Sequence, residues 1–269
     1  MSTQDTFISH LVELRDRLLR AIAAVLVLFV VLFLYPGSGA IYDFLAHPLM
    51  QALPEGSKMI ATGVITPFMV PMKVTALVAF MIALPYVLYQ AWAFVAPGLY
   101  EHEKKLALPM IVAGSVLFLI GVAFCYYFVF GTVFRFINDF APKSITPAPD
   151  IEAYFSFVIT MFLAFGVTFE IPIVLIILVR AGVVSVEKLR EARPYFIVGA
   201  FVVAAIVTPP DVLSQLLLAV PMCLLYEAGL FFARFIKKRE KQEKQGEGKS
   251  DYKPLNENEM ERELDRADR

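Results

Sequence analysis

The chain has 269 residues, of which 58% are hydrophobic and only 18% charged; a soluble globular domain carries about 25% charged residues. That balance speaks against an ordinary soluble domain and points to a lipid bilayer. The formal net charge of -1 is uninformative, because the charges collect in short clusters between long uncharged stretches.

Residues 1–20 hold no short apolar core followed by a small-residue cleavage site, and no Arg/Ser-rich, acid-poor transit composition, so nothing there needs removal. Leu11, Leu14 and Leu18 recur at helical spacing. They predict a helix with Glu13 beside the apolar stripe and Arg17 four residues on.

A charged side chain at the centre of a spanning helix costs about 2.5 to 3.5 kcal/mol on insertion scales, so uncharged runs locate the spans. Six emerge, predicting an all-α integral membrane protein. The first covers residues 21–35, the second lies between Lys73 and Glu101, and the third between Lys105 and Arg135. The fourth covers 153–179 and is interrupted only by Glu170; the fifth covers 194–207; the sixth covers 212–233, with Glu227 near its end. Spans five and six are the short ones. At 1.5 Å per residue the fifth reaches only about 21 to 24 Å, less than the roughly 30 Å of hydrocarbon, and the mismatch should thin the bilayer locally.

The intervening segments 36–70 and 131–152 are long and rich in Pro and Gly, and residues 41–50 fit an interfacial amphipathic helix in a cap on one face. Residues 237–269 carry both signs of charge and a single aromatic, Tyr252, so a six-span domain over 1–236 is followed by a tail that reads as disordered beyond a basic anchor. Lys and Arg number 3 in residues 1–20, 2 in 97–105, 4 in 180–193 and 11 in 234–269, against 4 on the alternate side. The positive-inside rule then places both termini in the cytoplasm.

Catalytic signatures are missing. The run His102-Glu103-Lys104-Lys105 lacks the second histidine of a zincin, and no nucleophile elbow, phosphate-binding loop or dinucleotide fingerprint occurs. Three scattered histidines assemble no metal site, and Cys125 and Cys223 lie in apolar runs as packing residues. The expectation is a non-enzyme with no metal and no cofactor.

Four features carry possible chemistry. Glu13, Glu101 and Glu103 are acids within basic segments, and Phe94, Pro97, Gly98 and Tyr100 predict a shaped loop before Glu103. Each also reads as an ordinary ion pair or a solvated acid. Two converging carboxylates would match adjacent guanidinium groups, since each planar fork can be held bidentately; a di-arginine peptide would fit. Glu170 is an intramembrane carboxylate, functional by default or else structural, protonated or bonded to a neighbouring helix. Pro172 loosens the backbone beside it. In the turn Thr208-Pro209-Pro210-Asp211, Asp211 is a candidate helix cap. Thr208 and Gln215 are polar groups able to hold a partner helix in lipid.

The stretches Ser9 to Leu18, Pro67-Phe68 with Lys73, Trp92 to Tyr100, Phe165 to Pro172, and Thr208 to Asp211 with Ser214-Gln215 together resemble the TatC family, the polytopic subunit of the twin-arginine protein translocase. The resemblance covers residues 6–236. It implies a six-helix cup whose cytoplasmic rim binds the twin-arginine motif of folded substrates through Glu13 and Glu103, with Phe94 nearby. It also implies that Arg15, Pro48 and Asp211 matter, that Glu170 lies in the concave face, and that Thr208 and Gln215 dock the single-span partners TatA and TatB. Other TatC copies and membrane lipid are further implied partners, nucleic acid is not, and export in a prokaryotic plasma membrane would run on the proton motive force. The competing reading is a proton-coupled small-solute transporter using Glu170.

Overall fold

The computed structural model describes residues 3–52, 59–95, 107–140, 148–209 and 211–250. Its helices are α1 Thr3–Leu32, α2 Ser38–Ala52, α3 Thr66–Val95, α4 Ala107–Phe124, α5 Phe130–Phe140, α6 Ile151–Arg180, α7 Val186–Glu191, α8 Arg193–Val207 and α9 Val212–Ser250. Tyr35, with extended backbone at φ -151° and ψ 126°, breaks the path between α1 and α2. A π-helical turn, Cys125–Val129, carries α4 into α5. Among the described residues, five helical stretches are long and apolar enough to cross a membrane, and Arg193–Val207 is a shorter apolar helix. The six expected spans are α1, α3, α4–α5, α6, α8 and α9; of the two expected to be short only α8 is, because the sixth is apolar over Val212–Phe235, long enough to cross.

Helix α6 is central. It packs against α3, α4 and α9, whereas α1 leans on α3 and α8 on α9. Lipid is as apolar as leucine, so helices in a bilayer associate through close van der Waals fit. Glycines supply the approach: a Cβ on Gly121 would stand 2.7 Å from the Phe165 carbonyl oxygen, one on Gly166 would strike the Phe118 ring, and one on Gly229 would stand 2.9 Å from the Pro172 Cα. Phe118, Phe130, Phe155, Phe162 and Phe165 fill the core around them.

The end of the bundle opposite the termini is tied together by polar bonds. Residues Ile41, Leu45, Ala46 and Leu49 form the buried face of α2, which packs on α3 and α5. Pro48 has no N–H to give the Phe44 carbonyl four residues earlier; the Tyr126 hydroxyl donates to that carbonyl at 2.9 Å, and Tyr154 donates to Leu45 O at 3.1 Å. Asp150 caps α6, its Oδ1 accepting from the Glu152 and Ala153 N–H groups and its Oδ2 from the Thr62 N–H and hydroxyl. Those donors, Ala153 first and then the Thr62 hydroxyl, hold its carboxyl below the usual range. Glu152 accepts from the Thr66 hydroxyl and pairs with Lys73 at 3.1 Å. At the terminus-bearing end, Tyr226 donates to Leu189 O at 2.7 Å, and Arg193 pairs with Glu227.

Three elements differ from the sequence expectation. The third span does not end at Arg135, because α5 runs on to Phe140 with Arg135 on its exposed face and Val133 and Phe134 buried; a charge bars burial in lipid, not helicity. Helix α2 packs on the protein rather than lying free at an interface. Helix α9 continues to Ser250, so residues 237–250, expected as disordered, are helical: Lys, Arg, Glu and Gln are strong helix formers. Residues 251–269 lie outside the described residues.

Candidate functional site

Glu13, Arg17, Ala21, Ala24, Leu28 and Leu32 recur every three or four residues along α1 and are among its less exposed positions, with Asp16, Val25 and Phe29 beside them. They form the stripe turned towards α3. On it, the Nε of Arg17, at 2.9 Å, and its Nη2 both donate to Glu13 Oε1, so the carboxylate holds a guanidinium edge on one oxygen. Arg15 points outward, 66% exposed at the side chain, and pairs with Asp16. Phe94 sits half-buried in the last turn of α3, at the same end of the bundle. Glu101 and Glu103 lie outside the described residues, as do Pro97, Gly98 and Tyr100.

Glu170 lies ten residues before the end of α6, about 15 Å along the axis. It lines a cavity of about 370 Å³ with Trp92, Leu88, Met110, Ile173 and Val174. Its carboxylate lies over Gly114, where a Cβ would stand 2.9 Å from Oε2. Oε1 and the Trp92 Nε1 are both buried without a hydrogen-bond partner. An orphan acceptor and an orphan donor in an apolar chamber suit a ligand group able to both donate and accept.

Of the polar groups at the far ends of α8 and α9, Thr208 is buried and Gln215 half-buried. Thr208, 6% exposed, donates its hydroxyl to Ala204 O at 2.8 Å. The Gln215 amide donates to Phe201 O at 3.2 Å and so ties α9 to α8. Asp211 accepts from the Ser214 N–H at 2.7 Å, the capping bond expected of it, while the buried Ser214 Oγ has no partner.

Residues 9–221 match the family model TatC, "Sec-independent protein translocase protein (TatC)". The chain belongs to the TatC family. It is 52% identical to the Sec-independent protein translocase protein TatC of Haemophilus influenzae over 85% of this chain and 88% of that one. Against the Escherichia coli K12 TatC the figures are 49%, 87% and 91%. A crystal structure of the twin arginine translocase receptor TatC superposes with a TM-score of 0.74 at 38% identity, covering 84% of this chain and 98% of that one. Nothing in these likenesses favours a solute transporter.

Within this TatC-family fold, the sequence reading missed three residues. Trp92 stood among the family stretches, but its role as a wall of the Glu170 cavity depends on the rotation of α3. Gly114 shows only as a small residue in an apolar run. The Tyr126 hydroxyl serves a carbonyl that Pro48 leaves open, and a proline inside an expected helix is the one sequence signal that marks such a carbonyl.

Proposed function

We propose that this chain is the signal receptor and scaffold of a twin-arginine translocase in a prokaryotic plasma membrane, with both termini cytoplasmic. The single observation that carries the receptor reading is the Glu13 carboxylate gripping the Arg17 guanidinium through two N–H groups. A carboxylate so placed accepts an incoming arginine by exchange, and lysine cannot reproduce that planar fork. Glu103 takes the second guanidinium, and Phe94 packs beside the peptide. The family membership and the excess of Lys and Arg on the terminus-bearing side support the same orientation.

Partner helices of the TatA and TatB kind dock at α8 and α9, where Gln215 can exchange the Phe201 carbonyl for a partner's polar group. Helix α8 has 15 residues, about 22 Å, and its mismatch with the hydrocarbon thins the bilayer beside that surface. The bound substrate is a folded protein carrying the signal, and the proton motive force drives its passage. Glu170 forms the polar point of the concave wall. Arg15, Pro48 and Asp211 act through structure: an outward cation, an open carbonyl in the cap, and a helix cap.

The test is binding of a twin-arginine signal peptide and its twin-lysine version to wild type, Glu13→Ala and Glu103→Ala in nanodiscs. Each substitution should weaken the twin-arginine peptide by about tenfold or more, the loss expected for a charge-assisted pair, and leave the twin-lysine peptide weak throughout. Equal affinities across all six combinations would sink the receptor site.

A further inference from the structure

A second cavity, of about 410 Å³, lies beneath α2 at the end opposite the termini. Val78 and Met81 of α3, Ala40 and Phe44 of α2, and Ala123 and Tyr126 of the third span are among its walls. It holds no ionic group, and its Tyr126 hydroxyl is already engaged by the Phe44 carbonyl. The cavity is therefore a hydrocarbon-lined chamber with nothing to offer a charged ligand.

What reaches it is legible on the third span. Leu108, Val112, Val116, Leu119, Ala123 and Tyr127 recur every three or four residues, and all are exposed, so they form one face along a helix that crosses the membrane. That face is the lipid-facing side of the span, and its last three members also line the cavity. The chamber is thus a continuation of the lipid surface under the roof of α2. One of its lining residues, Tyr127, is 78% exposed and is of the type that marks membrane interfaces.

We propose that this cavity is a binding site for one phospholipid hydrocarbon chain, held under α2 between α3 and the third span. The chain fills the space that α2 roofs, and it couples the cap to the surrounding bilayer without a headgroup contact. The site is separate from the Glu13 and Glu170 regions, so its occupancy does not depend on the receptor reading.

The full chain in nanodiscs is photolabelled with phosphatidylethanolamine or phosphatidylglycerol bearing a diazirine in the acyl chain, and adducts are mapped by mass spectrometry. Adducts should concentrate on residues 119–127 and on α2, with equal yield from both headgroups. Ala123→Phe and Ala40→Phe, which fill the cavity from two walls at exposed positions, should each cut that labelling about fivefold or more. Val112→Phe, on the same stripe outside the cavity, should leave it unchanged, and melting curves select folded variants. Adducts spread evenly along the stripe, labelling that survives both filling variants, or labelling that depends on one headgroup would each overturn the proposal.

Discussion

Helices α6 and α1 are each 30 residues long, yet they are built on different terms. Around α6, eleven residues are buried, and neighbours press on it closely enough that glycines are needed on α4 and α9. Along residues 11–32 of α1 only Ala21 is buried, and Leu26, Val27, Val30 and Val31 face outward. A wall held on several sides can keep an unpaired carboxylate such as Glu170 in place. A helix held along one stripe can let Arg17 leave Glu13 at little cost, since an i,i+4 pair is worth only about 0.2 to 0.5 kcal/mol. The guanidinium grip thus sits on the helix with fewer restraints.

The largest break in this comparison should come from Gly166→Val. Its Cβ would strike the Phe118 ring, itself 2% exposed, and overpacking of this kind costs about 1 to 3 kcal/mol. Thermal unfolding in detergent should show a clear fall in Tm, while Val27→Ala on the open face of α1 stays within about 0.5 kcal/mol of wild type. Comparable Tm values for the two variants would remove the contrast.

A smaller effect sharpens it. Tyr154→Phe deletes the hydroxyl that donates from α6 to Leu45 O and should cost about 0.5 to 1.5 kcal/mol, read by the same melt and by faster hydrogen exchange along α2. Unchanged exchange in α2 would show that the bond does not fasten the cap.

The smallest is pH-dependent. Asp150 titrates below its usual range because the Ala153 N–H and the Thr62 hydroxyl bond its charged form. A depressed folded value stabilises the fold above the unfolded pKa of about 3.9, and that contribution is lost as pH falls through the lower folded value. The Tm gap between wild type and Asp150→Ala should be constant near neutral pH and close below about pH 4. A gap that persists in acid would assign the effect to something other than the carboxylate.

Charge-free runs located six spans, since a charge is costly in hydrocarbon wherever the helix packs. The stripe of leucines before Ala21 predicted the helical start of α1, and the apolar run 41–50 predicted α2. Helix ends were less legible. Arg135 and the charged residues after Ala233 mark limits of lipid burial, while helicity follows backbone bonding and continues past both. Of the candidate residues, Glu13 and Asp211 were found with the partners their spacing predicts. Thr208 and Gln215 were legible as polar but not as bonded to the Ala204 and Phe201 carbonyls, because hydroxyl and amide direction depends on which carbonyl is near.

By itself the sequence determined the number of spans, the charge asymmetry between their two ends and the shortness of α8, because these follow from transfer energies summed along a chain. Only the tertiary structure decided that Trp92 joins Glu170, that Tyr126 serves the carbonyl left open by Pro48, and that a lipid-facing stripe ends in a chamber under α2. Those arrangements depend on helix rotation and on separations of a few ångströms between residues tens of positions apart, which no local pattern encodes.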